Sequence, residues 1–243
     1  MVISPPSHDV RRQGEIDISI ERRCGSRRRE GDRPDQYSSQ NIGGLTFMIV
    51  QAQEQRNYSP EEYLELEVNS EERHEYINGE IIPVTGGTPN HNQIALNLSG
   101  ALNFALKRQP YRVFVTDQRL WIPQKRIHTY PDVMVVAGQL EFAEGRRDTL
   151  TNPLMIAEVL SKSTRSYDKD EKFAAYRSIS SFQEYVLIDQ YTMHIEKYFK
   201  TDNHQWLFCE YENGDEMLSL ASLSFQISLA DIYDKVDFEA EVD

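Results

Sequence analysis

Cysteine is scarce in this chain: of 243 residues, only Cys24 and Cys209 carry a thiol. Neither has a partner cysteine at metal-knuckle spacing, which argues against a disulfide framework and a cysteine-rich zinc site. Such sparse thiol usage suits a reducing cytoplasm. Long apolar runs are missing as well. No segment approaches the roughly 18 residues of a membrane span, and the N-terminus has no apolar stretch of the signal-peptide kind. No membrane partner is therefore expected. Positive charge is in deficit, with 26 Lys and Arg against 39 Asp and Glu and a net charge of −13. Bulk attraction to nucleic acid is then not available, and any such contact needs a local basic strip or a metal ion. Gly86-Gly87 has neither the lysine of a phosphate loop nor the spacing of a dinucleotide fingerprint.

What is present is enough apolar material, 39% with 10% aromatic, to build the core of one large domain. Residues 1–47 stand apart. Arginines such as Arg11, Arg12, Arg22, Arg23 and Arg27 to Arg29 are frequent, lysine is absent, and acids nearly cancel the charge. With almost no hydrophobic periodicity, the segment reads as a disordered leader. A basic arm for nucleic acid is a second reading, and translation beginning at Met48 a third. Residues 48–243 read as a single domain.

From Ser59 the pattern is regular. Ser59-Pro60-Glu61-Glu62 marks a helix start, with Tyr63, Leu64 and Leu66 as its apolar face. A helical turn is expected from Ser70 toward Tyr76, and Asn78-Gly79 predicts a hairpin turn that joins Glu75-Tyr76-Ile77 to a strand at 80–84. Ile94, Leu98, Leu102 and Leu106 repeat at helical spacing up to Pro110. Strands follow at 111–115, 118–122, 132–136 and 154–160, the last two nearly continuous apolar runs of the kind covered on both faces. A helix over 168–178, with Phe173, Ala174 and Tyr176 inward, leads to a strand at 184–189. Two antiparallel strands, at 193–199 and 206–211, and a short helix near Leu229 to Tyr233 complete the pattern.

The informative feature is charge in apolar surroundings. Asp132 opens one apolar strand and Glu158 interrupts another. A lone buried carboxylate is costly unless it is paired or binds metal. Two of them, with the Val159 carbonyl, would form the oxygen shell that Mg²⁺ prefers. The plainer alternatives are a turn-capping Asp132 and a Glu158 bridged to an arginine.

Several segments resemble the Uma-two family of restriction-endonuclease-like proteins, within the PD-(D/E)xK nuclease superfamily. They are EYINGE at 75–80, GGTPNH at 86–91, YPDV at 130–133, AEVLS at 157–161, DKDEKFAAY at 168–176 and EYVLID at 184–189. The resemblance covers residues 57–235. It implies an α/β restriction-endonuclease-like core, a central mixed β-sheet flanked by helices. It further implies a metal-dependent endonuclease acting on DNA, with Mg²⁺ or Mn²⁺ held by Asp132, Glu158 and, from an early helix, Glu75. The superfamily lysine two residues after the strand glutamate is replaced here by Leu160. Lys172, on the following helix in one-turn register with Tyr176, is the expected substitute, with Lys162 a weaker candidate. Gln118, Tyr176 and His91 are expected to line the substrate. Cutting of both strands commonly uses two sites, so a homodimer is compatible. The rival reading is a catalytically degenerate nuclease fold with a regulatory or interaction role.

Overall fold

The computed structural model describes residues 37–42, 45–50, 56–202 and 204–239. They fall into two units divided after Glu54. In the first, β1 (Tyr37–Ile42) and β2 (Leu45–Val50) form an antiparallel hairpin that crosses the 47/48 boundary suggested by composition. The rest of the expected leader lies outside the described residues.

The second unit begins as its sequence dictates. Helix α1 (Pro60–Val68) is closed by a capping box: the Ser59 hydroxyl accepts from the Glu62 amide at 3.2 Å, and the Glu62 carboxylate accepts from the Ser59 amide at 2.8 Å. Its buried residues are Tyr63 and Glu67, whereas Leu66 is exposed, contrary to the expected apolar face. The reason is polar: Glu67 accepts from the His74 amide at 3.0 Å and the Tyr130 hydroxyl at 2.7 Å, and that hydroxyl accepts from Arg119 at 2.9 Å. The helical turn expected from Ser70 does not form. Glu67 and the ladder instead draw the chain into β3 (His74–Ile77), paired with β4 (Glu80–Pro83). The turn between them has Asn78 at φ 46° and Gly79 at φ 111°, where a Cβ on Gly79 would lie 1.6 Å from the Asn57 carboxamide oxygen. Only glycine meets both conditions.

Helix α2 (Pro89–Ala105) is capped by Thr88 and buries Ile94, Leu98 and Leu102, the predicted stripe. It ends before Pro110, and Arg108 at φ 66° turns the chain back. The next strands are β5 (Tyr111–Val115), β6 (Arg119–Ile122), β7 (Ile127–Thr129), β8 (Val133–Ala137), β9 (Thr149–Leu150) and β10 (Met155–Leu160). A helical segment follows, made of α3 (Arg165–Tyr167), a π-helical turn (Asp168–Lys172) and α4 (Phe173–Tyr176). The wider π turn shifts the phase of the segment. Asp168, Lys172, Ala175 and Tyr176 are buried, while Phe173 and Ala174, expected inward, are half-buried. Then come β11 (Glu184–Asp189), β12 (Ile195–Lys200), β13 (Trp206–Tyr211), β14 (Met217–Leu220), β15 (Phe225–Ser228) and α5 (Leu229–Ile232).

The main sheet has the order β13-β12-β11-β10-β8-β5, and a second sheet the order β4-β3-β7-β6-β9. In the main sheet only β10 and β11 run parallel. Its central strands alternate between two cores. Val133, Val135, Met155, Ala157 and Val159 pack with α2, β14, β15 and α5. Met134, Val136, Ile156 and Leu160 pack with Tyr176, Phe182, Tyr185 and the residues of β6. The fold is thus α/β, with large mixed sheets flanked by helices, as expected. No helix among the described residues is long and apolar enough to cross a membrane.

Candidate active site

The register of β8 against β10 builds the site. Val133 pairs with Ala157, so Asp132, just before β8, meets Glu158 at the same end of the sheet. The two residues hold each other: the Asp132 amide donates to Glu158 Oε2 at 3.2 Å, and the Val159 amide donates to Asp132 Oδ2 at 2.8 Å. Val159 therefore contributes its amide to the shape of the site. The same Asp132 oxygen lies 3.1 Å from His91 Nε2, which reaches it from the first turn of α2.

From the other face, the π turn brings in Lys172. Its ammonium is 3.2 Å from Asp168 Oδ1, 3.4 Å from Glu158 Oε1 and 3.5 Å from Glu75 Oε1. Asp168, Lys172 and Tyr176 follow at four-residue intervals, and the Tyr176 hydroxyl donates to Glu158 Oε1 at 2.7 Å. The Thr129 hydroxyl donates to Glu75, and the Tyr167 ring lies 5.6 Å from the ammonium. Glu75 reaches the cluster from β3, not from an early helix as expected: pairing with β4 and β7 holds that segment extended.

Charge is the distinctive property. Four carboxylates, those of Glu75, Asp132, Glu158 and Asp168, share the Lys172 ammonium and the His91 imidazole. Burial pushes the Glu158 carboxyl up, the negative charges of Asp132 and Asp168 push the same way, and Lys172 and Tyr176 only partly oppose them, so it stands at about 8. Burial works against the Lys172 charge, but Glu158, Glu75 and Asp168 outweigh it and hold the group well above the ordinary lysine value. Lys172 is thus a fixed ammonium. An all-oxygen donor set with uncompensated negative charge is chemically suited to a divalent cation.

Other expected residues lie elsewhere. Gln118 donates to the carbonyls of Arg119 and Asp148 and makes no bond to the cluster, because its amide closes the loop before β9. Lys162 sits 5.1 Å over the Tyr191 ring. Arg165 pairs with Asp189, and Lys169 with Glu196. Leu160 is buried in the apolar core, so the cluster's ammonium comes from the helical segment instead. Sequence reasoning overlooked Asp168 and Thr129. Asp168 had a usable signal, one helical turn before Lys172, which is itself one turn before Tyr176. Thr129 had none.

A family model described as “Putative restriction endonuclease”, Uma2, matches residues 60–230, which include every residue of this cluster. The chain belongs to the Uma2 family. Among relatives of this chain, “Uncharacterized protein sll1609” of Synechocystis is 45% identical over 149 residues, 61% of this chain and 84% of that protein. “Uncharacterized protein slr1290” of the same organism is 33% identical over 174 residues, 70% and 90% of the two chains. A crystal structure from Anabaena variabilis, described as “a putative nuclease belonging to DUF820”, shares the fold with a TM-score of 0.60 at 20% identity. It covers 72% of this chain and 97% of the other. The Uma2 chain is therefore restriction-endonuclease-like in family and fold, a class that generally uses divalent metals.

Proposed function

We propose that this Uma2 chain is a divalent-cation-dependent endonuclease that hydrolyses phosphodiester bonds of DNA. The observation that carries the reading is the excess of carboxylate over ammonium at the Asp132–Glu158 sheet end. Asp132 and Glu158 would hold Mg²⁺ or Mn²⁺, with the Val159 carbonyl and Glu75 supporting. The bound ion supplies a more acidic water and charge neutralisation at the phosphate. Lys172, whose proton is secured by three carboxylates, stabilises the negative charge that develops on the phosphoryl oxygens. Asp168 and Glu75 fix its direction. Tyr176 holds Glu158 from behind and so orients its second oxygen, a positioning role in place of substrate lining.

The test is a plasmid nicking and linearisation assay with Mg²⁺ or Mn²⁺, for the native sequence and for Asp132→Asn and Lys172→Ala. Cleavage that requires the ion and is lost in both variants is the expected result. Ion binding without cleavage of supercoiled, linear or single-stranded DNA would instead support a regulatory nuclease-fold protein, the reading that the net charge of −13 favours.

A further inference from the structure

Within the cation site just proposed, and resting on it, we infer that His91 is a direct ligand of the ion. The donor set then contains one imidazole nitrogen beside the carboxylate oxygens, and the site favours Mn²⁺ over Mg²⁺.

The geometry is that of neighbouring ligands. His91 Nε2 lies 3.1 Å from Asp132 Oδ2. Two donors on adjacent corners of an octahedron with bonds of about 2.1 Å are about 3 Å apart. The separation of these two atoms therefore matches one edge of such an octahedron.

The chain holds the imidazole there by a closed circuit of contacts. The His91 amide donates to the Thr88 hydroxyl oxygen at 3.1 Å. The Thr88 hydroxyl donates to Gln190 Oε1, and Gln190 Nε2 donates to the Leu160 carbonyl at 2.8 Å. The start of α2 is thus keyed to the end of β10, the strand that carries Glu158. Gly87 leaves the space for the ring: a Cβ there would lie 2.9 Å from His91 Nδ1 and 3.1 Å from Cγ. Both the helix start and the missing side chain serve one orientation, with Nε2 toward Asp132.

The chemical consequence follows from ligand preference. An all-oxygen octahedral site suits Mg²⁺, whereas imidazole nitrogen raises affinity for transition ions along the usual divalent series.

The experiment binds Mn²⁺ to the full chain and reads it by electron paramagnetic resonance, with pulsed measurement of coupling to nitrogen. Among the described residues, the group of imidazole and carboxylates whose ligand atoms all lie within 4.8 Å of one another is His194 with Glu196 and Glu210, at β12 and β13, so Asp132→Asn controls for location. The expected result is a nitrogen coupling present in the native protein and absent in Asp132→Asn and in His91→Ala. His91→Ala should also weaken Mn²⁺ at least about tenfold while weakening Mg²⁺ less, each measured by calorimetry. Gly87→Ala retains every ligand and should diminish the coupling by displacing the ring, with thermal melts confirming that the variants are folded. Asp132-dependent Mn²⁺ binding without nitrogen coupling, or equal loss of Mn²⁺ and Mg²⁺ affinity in His91→Ala, overturns the assignment and leaves the cation site standing. No binding of either ion overturns the cation site, and the His91 assignment with it.

Discussion

Glu158 on β10 and Glu184 on β11 are both buried in the main sheet, three residues apart in register, yet their surroundings differ. Glu184 is saturated: its oxygens accept from the Ala221 and Ser222 amides at 3.0 Å and from the Ser222 hydroxyl at 2.6 Å, with the Lys197 ammonium 3.8 Å away. Glu158 shares its lysine with Asp168 and Glu75 and stands beside Asp132. One carboxylate is fully compensated and fastens β11 to the β14–β15 turn. The other sits in a group with charge left over. Burial of a carboxylate therefore does not mark a reactive site; uncompensated burial does.

The largest expected effect separates the two groups by chemistry. Asp132→Asn or Lys172→Ala should lower ion-dependent DNA nicking by about 10²-fold or more, while Glu184→Gln should leave the rate per folded molecule unchanged. Equal losses in all three variants would dissolve the distinction. Stability should divide in the opposite sense. Glu184→Ala leaves the Ala221 and Ser222 amides and the Ser222 hydroxyl without their acceptor, while Lys197 keeps its bond to the Ser219 carbonyl, and should cost about 3 kcal/mol or more in urea unfolding, with the response to divalent ions intact. Glu158→Gln should keep or raise the stability of the ion-free protein and remove part of the stabilisation gained on adding Mn²⁺.

The pH dependence sharpens the contrast. The folded Glu158 carboxyl is raised from 4.5 to about 8. Its contribution to stability is complete below about 4.5, where folded and unfolded chains both carry the proton. It is lost as pH rises toward 8, because the unfolded chain gives up that proton first. The ion-free Tm of the native protein should then fall across this window more steeply than that of Glu158→Gln, and added Mn²⁺ should raise Tm more at pH 8 than at pH 5. Thermal melts over that range check both. The smallest effect belongs to a region remote from either glutamate: Ser59→Ala removes the cap of α1 and should cost about 1 kcal/mol in urea unfolding, with the ion response unchanged.

Local signals carried much of the fold. The Ser59 capping box, the Asn78-Gly79 turn, the 94–98–102 stripe of α2 and the apolar runs of β8 and β10 are each written in a few adjacent residues, and each forms where expected. The segment after Ser70 does not obey its helical pattern, because Glu67 and the β3–β4 ladder act on it from outside its own window. Part of the site was legible for the same reason that makes it unusual: Asp132 and Glu158 are charges in apolar runs, and Lys172 and Tyr176 share a helical face. Gln118, near in order to Asp132, turned out to serve a loop, since order along the chain does not specify where an amide points.

By itself, the sequence determined most of the helices and strands, the segment after Ser70 excepted, that two acids would be buried, and that the usual lysine position is apolar. Only the tertiary structure decided that these acids share one end of a sheet, that a π turn swings Asp168 and Lys172 inward together, and that Glu75 meets that lysine. The physical reason is range: propensity and periodicity act over a few residues, whereas the balance of charge in a buried site is a sum over groups that only folding makes neighbours.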